Sequence, residues 1–297
     1  MQVLITGGTG LIGSALCRQW QADHQITVLT RRPASVVRRC GHQVLAIASL
    51  SELSSDHYFD VVINLAGEPI ADRRWSSSRK QVLRDSRIGI THQLLSYFKR
   101  AKIKPSVLIN ASAVGYYGDR GDCILDENSD SENDFAHQLC RDWEDEAVKA
   151  SELGIRVCVL RLGLVIAEGG GFLSRLLLPF RLGLGGRIGS GDQWMSWVHQ
   201  DDVLGVIHYL ISHQVLNGVF NTTAPQPVTN KQFTHCLAGQ LRRPAILPVP
   251  AWGLNKLLGE MSVLLLGGQR VLPVRIQQAG FEFQYKTLDK ALKSVLK

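Results

Sequence analysis

The chain has 297 residues, of which 45% are hydrophobic and 20% charged, and its formal net charge is +7. This composition is typical of a globular protein with a sizeable core and excludes an intrinsically disordered chain. The basic residues occur mainly as scattered pairs, with no long basic run interleaved with aromatics, so we expect no nucleic-acid partner.

A strand, a glycine-rich turn and a helix are predicted at the start of the chain. Residues 3–5 are apolar, residues 6–13 carry glycine at every third position from 7, and residues 11–20 are amphipathic. Such glycines allow a tight turn, close approach to a pyrophosphate and close helix packing, which favours a dinucleotide site over a plain strand-to-helix turn. The expected contacts are Gly7, Thr9, Gly10, Leu11, Ile12 and Gly13.

The second predicted strand, over 26–29, is followed by Thr30, Arg31 and Arg32. A site for NAD usually has Asp or Glu here to bind the ribose 2′-hydroxyl. A guanidinium can instead bind a 2′-phosphate through two hydrogen bonds. We therefore expect NADP as the cofactor; the alternative is a solvated basic turn.

Strands and helices continue to alternate through the first half of the chain. Further strands are predicted over 44–47, 61–65, 107–110 and 157–160, and helices over 79–100 and 134–153. This alternation predicts an α/β fold with a parallel sheet covered on both faces.

The strand over 61–65 ends in a run of small residues. Asn64, Leu65, Ala66 and Gly67 would let the ribose and pyrophosphate lie against the backbone at the carboxyl edge of the sheet. The alternative is a strand end that simply turns on Gly67.

The pattern loosens after residue 163. Helices are predicted over 172–181, 201–213 and 229–240, a glycine-rich loop over 183–191, and short strands over 219–221 and 281–285. We expect a nucleotide-binding domain over 1–165, to which elements of about 198–222 return. The rest of 166–297 would form a helix-rich C-terminal lobe.

The six cysteines are scattered, with no Cys-x-x-Cys pair and no Cys/His cluster. This pattern predicts neither a metal site nor a disulfide framework and favours a reducing, cytoplasmic location. The chain starts directly with a strand, so we expect no signal peptide. Residues 245–268 are apolar but interrupted by charges and prolines, which argues against a membrane span; residues 254–266 could be core or the face of a homo-oligomer.

Four motifs together resemble the extended short-chain dehydrogenase/reductases, the NAD(P)-dependent epimerase/dehydratase family, and most closely an atypical group within it. They are the glycine turn, Asn64–Gly67, the segment Ser112-Ala-Val-Gly-Tyr-Tyr-Gly118 and Val198-His-Gln-Asp-Asp-Val203. The resemblance covers essentially the whole chain. It implies a Rossmann, doubly wound sheet with bound NADP and a smaller C-terminal substrate lobe.

The resemblance also implies particular nucleotide contacts. They are Thr30, Arg31, Leu65, Ala66, Arg87 and Val165, together with Gln81, which stands where a relative has Glu.

The catalytic pair of the family is missing from this chain. Extended members place a Tyr, a Lys four residues later and commonly a Glu after four more on one helix, and the Lys lowers the Tyr pKa. Counting back from Glu144 puts Cys140 at the Lys position and Ala136 at the Tyr position. The remaining candidates for chemistry are Ser112, Tyr116 and Tyr117, each of which could equally have a structural role.

Two functions stay open at this point. One is an NADP-dependent oxidoreductase, epimerase or dehydratase, whose small substrate would be anionic because Arg87, Arg161 and Arg175 create a positive field. The other is a non-catalytic NADP(H)-binding sensor or partner-binding module. His199 could serve catalysis or, as in extended members, position a loop.

Overall fold

The computed structural model describes residues 1–296. The strands, numbered along the chain, are β1 Gln2–Thr6, β2 Gln25–Leu29, β3 Val44–Ile47, β4 Val61–Asn64, β5 Val107–Ala113, β6 Ile124–Leu125, β7 Arg156–Leu162, β8 Leu164–Ile166, β9 Trp194–Met195, β10 Trp197–His199, β11 Gly218–Thr222, β12 Val228–Thr229 and β13 Arg270–Val271. The α-helices are α1 Leu11–Trp20, α2 Val36–Cys40, α3 Ser77–Arg84, α4 Ile90–Arg100, α5 Phe135–Val148, α6 Gly171–Arg181, α7 Gln200–Ser212, α8 Asn230–Leu241, α9 Ala251–Leu258, α10 Val263–Leu266, α11 Val274–Gln278 and α12 Leu288–Val295.

A seven-stranded parallel sheet forms the centre of the molecule, in the order β11-β7-β5-β4-β1-β2-β3. The direction of winding reverses between β1 and β4, which is where open α/β sheets bind ligands at the carboxyl ends of their strands.

Helices cover both faces of this sheet. Leu16 of α1 and Ile207 of α7 pack with Ile5 on one face, and Leu94 of α4 packs with Leu4 on the other. The central strands are buried on both sides, which explains their continuous apolar runs. The predicted α/β, Rossmann doubly wound fold is confirmed.

The second half of the chain divides between the sheet and a lobe. Helix α7 packs on the sheet face beside α1, and β11 extends the sheet next to β7. Helices α6, α8 and α12 build a separate apolar cluster around Trp197 and Phe233. His199 therefore opens a helix that lies on the sheet.

Two sequence expectations need correction. The predicted strand over 281–285 is not a strand, because the amides of Gln284 and Tyr285 donate to the Asp202 carboxylate at 2.7 and 3.0 Å instead of to a neighbouring strand. The helix predicted over 79–100 is broken into α3 and α4 by a π-helical turn, Asp85–Gly89. The segment 183–191 is a loop, as expected, and an isolated bridge between Ile188 and Val249 together with the hydrogen bond from the Gly189 amide to the Val249 carbonyl at 2.9 Å ties it to the chain before α9.

Within residues 1–296, no helix is both long and apolar enough to cross a membrane.

Candidate functional site

The turn between β1 and α1 is shaped so that only glycine fits at two positions. Gly7 has a φ of +68°, and a Cβ there would lie 2.5 Å from the Leu65 carbonyl oxygen. A Cβ on Gly13 would lie 2.5 Å from the Gly7 carbonyl oxygen. The turn is therefore pressed against the end of β4 and against its own helix, as a nucleotide-binding turn requires.

The rim of this turn is open to a ligand. Thr9, Gly10, Leu11 and Ile12 all keep exposed surface, whereas Gly13 is buried. Gly10 is the N-cap of α1 and no side chain caps the helix, so the first-turn amides and the positive end of the helix dipole are free to hold an anion.

Two long side chains brace the turn from outside. The Arg39 Nη1 donates to the Thr9 carbonyl at 3.0 Å, and the Gln200 Nε2 donates to the Leu11 carbonyl at 2.9 Å. Sequence reasoning missed both, because Arg39 belongs to one of several scattered basic pairs and has no local signal that sets it apart. The contact of Gln200 spans 189 positions of the chain and leaves no local signal.

The residues after β2 reach toward the end of β4. The Arg31 Nη2 lies 2.7 Å from the Glu68 Oε1, and the Arg31 side chain is 86% exposed. The hydrogen bond from Arg31 holds the pKa of the Glu68 carboxyl below its usual value, although burial acts in the opposite direction. The Thr30 hydroxyl oxygen accepts from the Arg32 amide at 3.2 Å, and Arg32 is exposed. Of Thr30, Arg31 and Arg32, Arg31 is the residue whose side chain reaches from the end of β2 to the loop after β4.

The side chain of Asn64 is enclosed and does not face the cleft. Asn64 is fully buried, donates to Thr91 at 2.8 Å and to Asn110 at 2.6 Å, and accepts from Thr6 at 2.5 Å. The Asn64 side chain therefore serves to fix the strand ends, and the predicted contact of the cofactor with the backbone of residues 64–67 stays a prediction. Leu65, Ala66 and Gly67, in contrast, retain exposed surface.

Arg87 lies beneath this exposed segment, on the π-helical turn. Its Nη2 donates to the Glu68 carbonyl at 3.0 Å, and its Cζ lies 5.4 Å from the Trp143 ring centroid. Its other hydrogen bonds go to neutral oxygens, and among residues 1–296 it forms no ion pair. Burial lowers the pKa of Arg87, yet so basic a group stays charged at neutral pH. A cation without a carboxylate partner is thus available to an anionic ligand.

The other two contacts implied by the family are Gln81 and Val165. The Gln81 Nε2 donates to the Asp85 carboxylate at 2.8 Å on the exposed surface of α3. Val165 is half-buried in β8, where it pairs with Val198, and its carbonyl is close to the Gly171 backbone.

A buried polar network stands at the carboxyl end of β5. The Ser112 hydroxyl donates to the Glu144 Oε1 at 2.6 Å, and Arg161 donates to both oxygens of Glu144 at 3.0 and 2.8 Å. Arg161 also donates to the Tyr117 hydroxyl at 3.0 Å, which in turn donates to Asn221 at 2.7 Å. Ser112 and Arg161 sit opposite each other in the β5–β7 register, so the sheet itself aligns them.

This network fixes the charge states of its members. Burial acts to lower the pKa of Arg161, but the hydrogen bonds and charge of Glu144 outweigh it and raise that pKa. Burial raises the pKa of Tyr117 to about 12. Glu144 and Arg161 therefore form a charged pair, and Tyr117 remains a neutral phenol without exposed surface.

The positive field expected from three arginines is smaller than predicted. The charge of Arg161 is matched by Glu144, and Arg175 pairs with Asp72. Only Arg87 contributes an unmatched charge, so the argument for an anionic substrate rests on that residue alone.

The two tyrosines of the following turn differ in access. Tyr117 is enclosed by its hydrogen bonds, whereas Tyr116 is half-buried and places its ring 3.3 Å from the Arg161 Cζ. Among residues 1–296, the Tyr116 hydroxyl makes no hydrogen bond, so of the two it is the one whose hydroxyl is free to meet a ligand.

Helix α5 presents small side chains at the two positions where counting from Glu144 predicts the family's reactive pair. Ala136 packs near Gly115, and Cys140 is buried beside Ser112 and Arg87. Burial raises the pKa of the Cys140 thiol to about 11, with Ser112 and Arg87 acting in the opposite direction. A neutral thiol of this kind is a poor base at physiological pH.

The contacts of His199 are structural. Its Nδ1 accepts from the Asp201 amide at 3.1 Å and so caps α7, its Nε2 lies 3.1 Å from the Ser294 Oγ, and its ring stacks on Tyr285 at 3.7 Å. The imidazole ties α7 to the C-terminal segment.

Comparisons with known proteins match almost the entire chain. Residues 3–222 match the family described as "NAD dependent epimerase/dehydratase family", and residues 249–295 match a domain of unknown function. The chain is 41% identical to an epimerase family protein of Mycobacterium leprae, covering 98% of this chain and 94% of the relative. It is 39% identical to the chloroplastic homologue of epimerase family protein SDR39U1 from Arabidopsis thaliana, covering 100% of this chain and 87% of the relative.

Solved structures give the same result. The crystal structure of human epimerase family protein SDR39U1 (isoform 2) with NADPH superposes with a TM-score of 0.90 at 33% identity, covering 99% of both chains. The UDP-glucuronic acid 4-epimerase of Bacillus cereus, at 19% identity and a TM-score of 0.78 over 99% of this chain and 98% of that chain, shares the fold.

Proposed function

The chain belongs to the NAD-dependent epimerase/dehydratase family, and on that basis we propose that it binds NADP(H) and is an oxidoreductase, epimerase or dehydratase of a small molecule. The observation that carries this proposal is the turn at Gly7 and Gly13, where any Cβ would collide with backbone atoms, together with the exposed cation Arg31. The NADPH in the crystal structure of the human relative supports the same cofactor.

The residues present fit this cofactor. The first-turn amides of α1 would hold the pyrophosphate, Arg31 would bind the 2′-phosphate, and the exposed backbone of Leu65, Ala66 and Gly67 would face the ribose. When bound, NADP supplies hydride transfer at its nicotinamide ring.

Ser112 is the residue we assign to the reacting group of the substrate. A serine hydroxyl has one proton, and here it is donated to Glu144. Its free lone pairs can therefore only accept a hydrogen bond, which suits a substrate hydroxyl. Glu144, which is paired with Arg161, holds the Ser112 proton in this direction, so that Ser112 would position the substrate hydroxyl by accepting from it. Tyr116, with its free hydroxyl, is the candidate for proton transfer.

Cofactor choice is tested by isothermal calorimetry with NADPH and NADH. One charge-assisted phosphate pair should make NADPH bind at least tenfold tighter, about 1.4 kcal/mol. Arg31→Asp should erase this preference, whereas Arg32→Asp, the same charge change on the adjacent exposed residue, should alter it much less. Equal affinities of the unaltered protein for both cofactors would contradict the assignment.

Catalysis is tested by following NADPH oxidation with carbonyl compounds and NADP reduction with alcohols. With an active compound, Ser112→Ala should lower turnover roughly 10²-fold, the lower range for losing a proton-transfer or hydrogen-bonding group, and leave NADPH affinity unchanged. Tight NADPH binding without turnover of any compound would favour the binding-module alternative, which the absent Tyr–Lys pair keeps in consideration.

A further inference from the structure

We propose that Glu68 sets cofactor affinity by competing with the 2′-phosphate of NADP(H) for the Arg31 guanidinium. This inference rests on the proposed function. The carboxylate reaches Arg31 from the loop after β4, whereas a site for NAD places its acid at the end of β2. Glu68 is thus an internal anion held at the cation that we assign to the phosphate.

Both the backbone and the side chain of Glu68 are held by polar contacts. Its amide donates to the Ser86 hydroxyl at 3.0 Å, and its carbonyl accepts from Arg87 at 3.0 Å. Its carboxylate lies 2.7 Å from Arg31 and 3.6 Å from the Arg79 Nη1, and its side chain is only 21% exposed. The acid therefore stays in position whichever way Arg31 turns.

Arg31 is the movable partner of the pair. It is 86% exposed and its guanidinium bonds only to Glu68 among residues 1–296. A phosphate that binds Arg31 must draw it from Glu68 or share it with a second anion. The Arg79 guanidinium, which is mostly buried, remains beside Glu68 when Arg31 leaves, so that the abandoned carboxylate keeps a counter-charge.

The cost of this exchange is small but measurable. Ion pairs between exposed groups contribute about 0.2–1 kcal/mol, equivalent to an affinity ratio of up to roughly fivefold. Removing the charge of Glu68 should release that amount to the phosphate. NADH has no 2′-phosphate and gains nothing from a free Arg31.

The experiment measures NADPH and NADH affinities by calorimetry at low ionic strength for four proteins: unaltered, Glu68→Gln, Arg31→Gln and the double variant. Glu68→Gln should bind NADPH about two- to fivefold tighter and NADH no tighter. In the Arg31→Gln background the gain should disappear, because the contested guanidinium is gone. Asp56→Asn, which removes an exposed acid near the amino end of β4, controls for net charge and should change neither affinity.

Each outcome decides the matter. Unchanged or weaker NADPH binding by Glu68→Gln overturns the proposal and indicates that Glu68 serves to orient Arg31. A gain that persists without Arg31 also overturns it, since the acid would then act on the phosphate directly. If the unaltered protein binds no NADPH, the proposed function itself fails, which this series separates from failure of the competition.

Discussion

Replacing Glu144 by glutamine should destabilise the protein by about 3–5 kcal/mol, the range for removing one partner of a buried ion pair. The side chains of Arg161 and Glu144 are 4% and 8% exposed and share two hydrogen bonds. Glutamine keeps the shape and the acceptor for one of these bonds, but it leaves the Arg161 charge buried without a counter-ion. Burial, which lowers the pKa of Arg161, would then be opposed only by the weaker influence of Tyr117, because the contribution of Glu144 is lost.

The assay is urea unfolding followed by circular dichroism, with free energies compared at fixed pH and salt. Asp56→Asn is the matched control, because its partner Lys102 and Asp56 itself are 68% and 70% exposed, and its loss should cost under about 1 kcal/mol. Combining Glu144→Gln with Arg161→Met should recover part of the lost stability, since no uncompensated charge then remains. A Glu144→Gln protein within about 1 kcal/mol of the parent would refute the view that this pair is a desolvated unit.

Two further perturbations test other parts of the structure. Gly7→Ala should lower the unfolding free energy by about 1–3 kcal/mol and abolish NADPH binding, since it combines a positive φ with a collision against the Leu65 carbonyl. The control Gly239→Ala lies in α8, is exposed and has open space around its Cβ position, so it should be neutral or stabilise by about 1 kcal/mol. Equal melting temperatures for the two variants would contradict this expectation. Burial lowers the pKa of His199 below its usual 6.5, although Asp201 opposes the shift, so the unfolded chain binds the proton first and stability should fall as pH drops below about 6.5. His199→Gln should flatten that pH dependence in urea unfolding at pH 7 and pH 5.5, and an unchanged slope would argue against the histidine as its source.

The sheet could be predicted from the sequence because its strands are buried on both faces. Continuous apolar runs, such as residues 61–63 in β4, identify buried strands clearly when helix-permissive segments separate them. The turn after β1 was equally readable, since its glycines are required by local geometry. Both signals are contained within a few consecutive residues.

The polar network at Ser112 could not be predicted, since its members come from five parts of the chain. In the sequence, Glu144 serves only as the reference from which the Tyr and Lys positions are counted, and Arg161 is only a charged residue after a predicted strand. Nothing local states that the two neutralise each other 17 positions apart. For the same reason the sequence does not show that the Asn64 side chain is enclosed, because its three partners lie 27 to 58 positions away.

Helix α5 shows how the family's scaffold is kept where its reactive pair is absent. Consecutive residues of this helix join two separate networks, because the Trp143 indole donates to Thr91 at 3.0 Å while Glu144 binds Ser112 and Arg161. These bonds fix the helix against α4 on one side and against β5 and β7 on the other. Counting from Glu144 puts Ala136 and Cys140 at the positions of the family's Tyr and Lys, so under the proposed function the polar groups nearest a substrate would come from the strand ends and the turn after β5. We therefore expect the chemistry of this site at Ser112 and Tyr116, with α5 holding them in place.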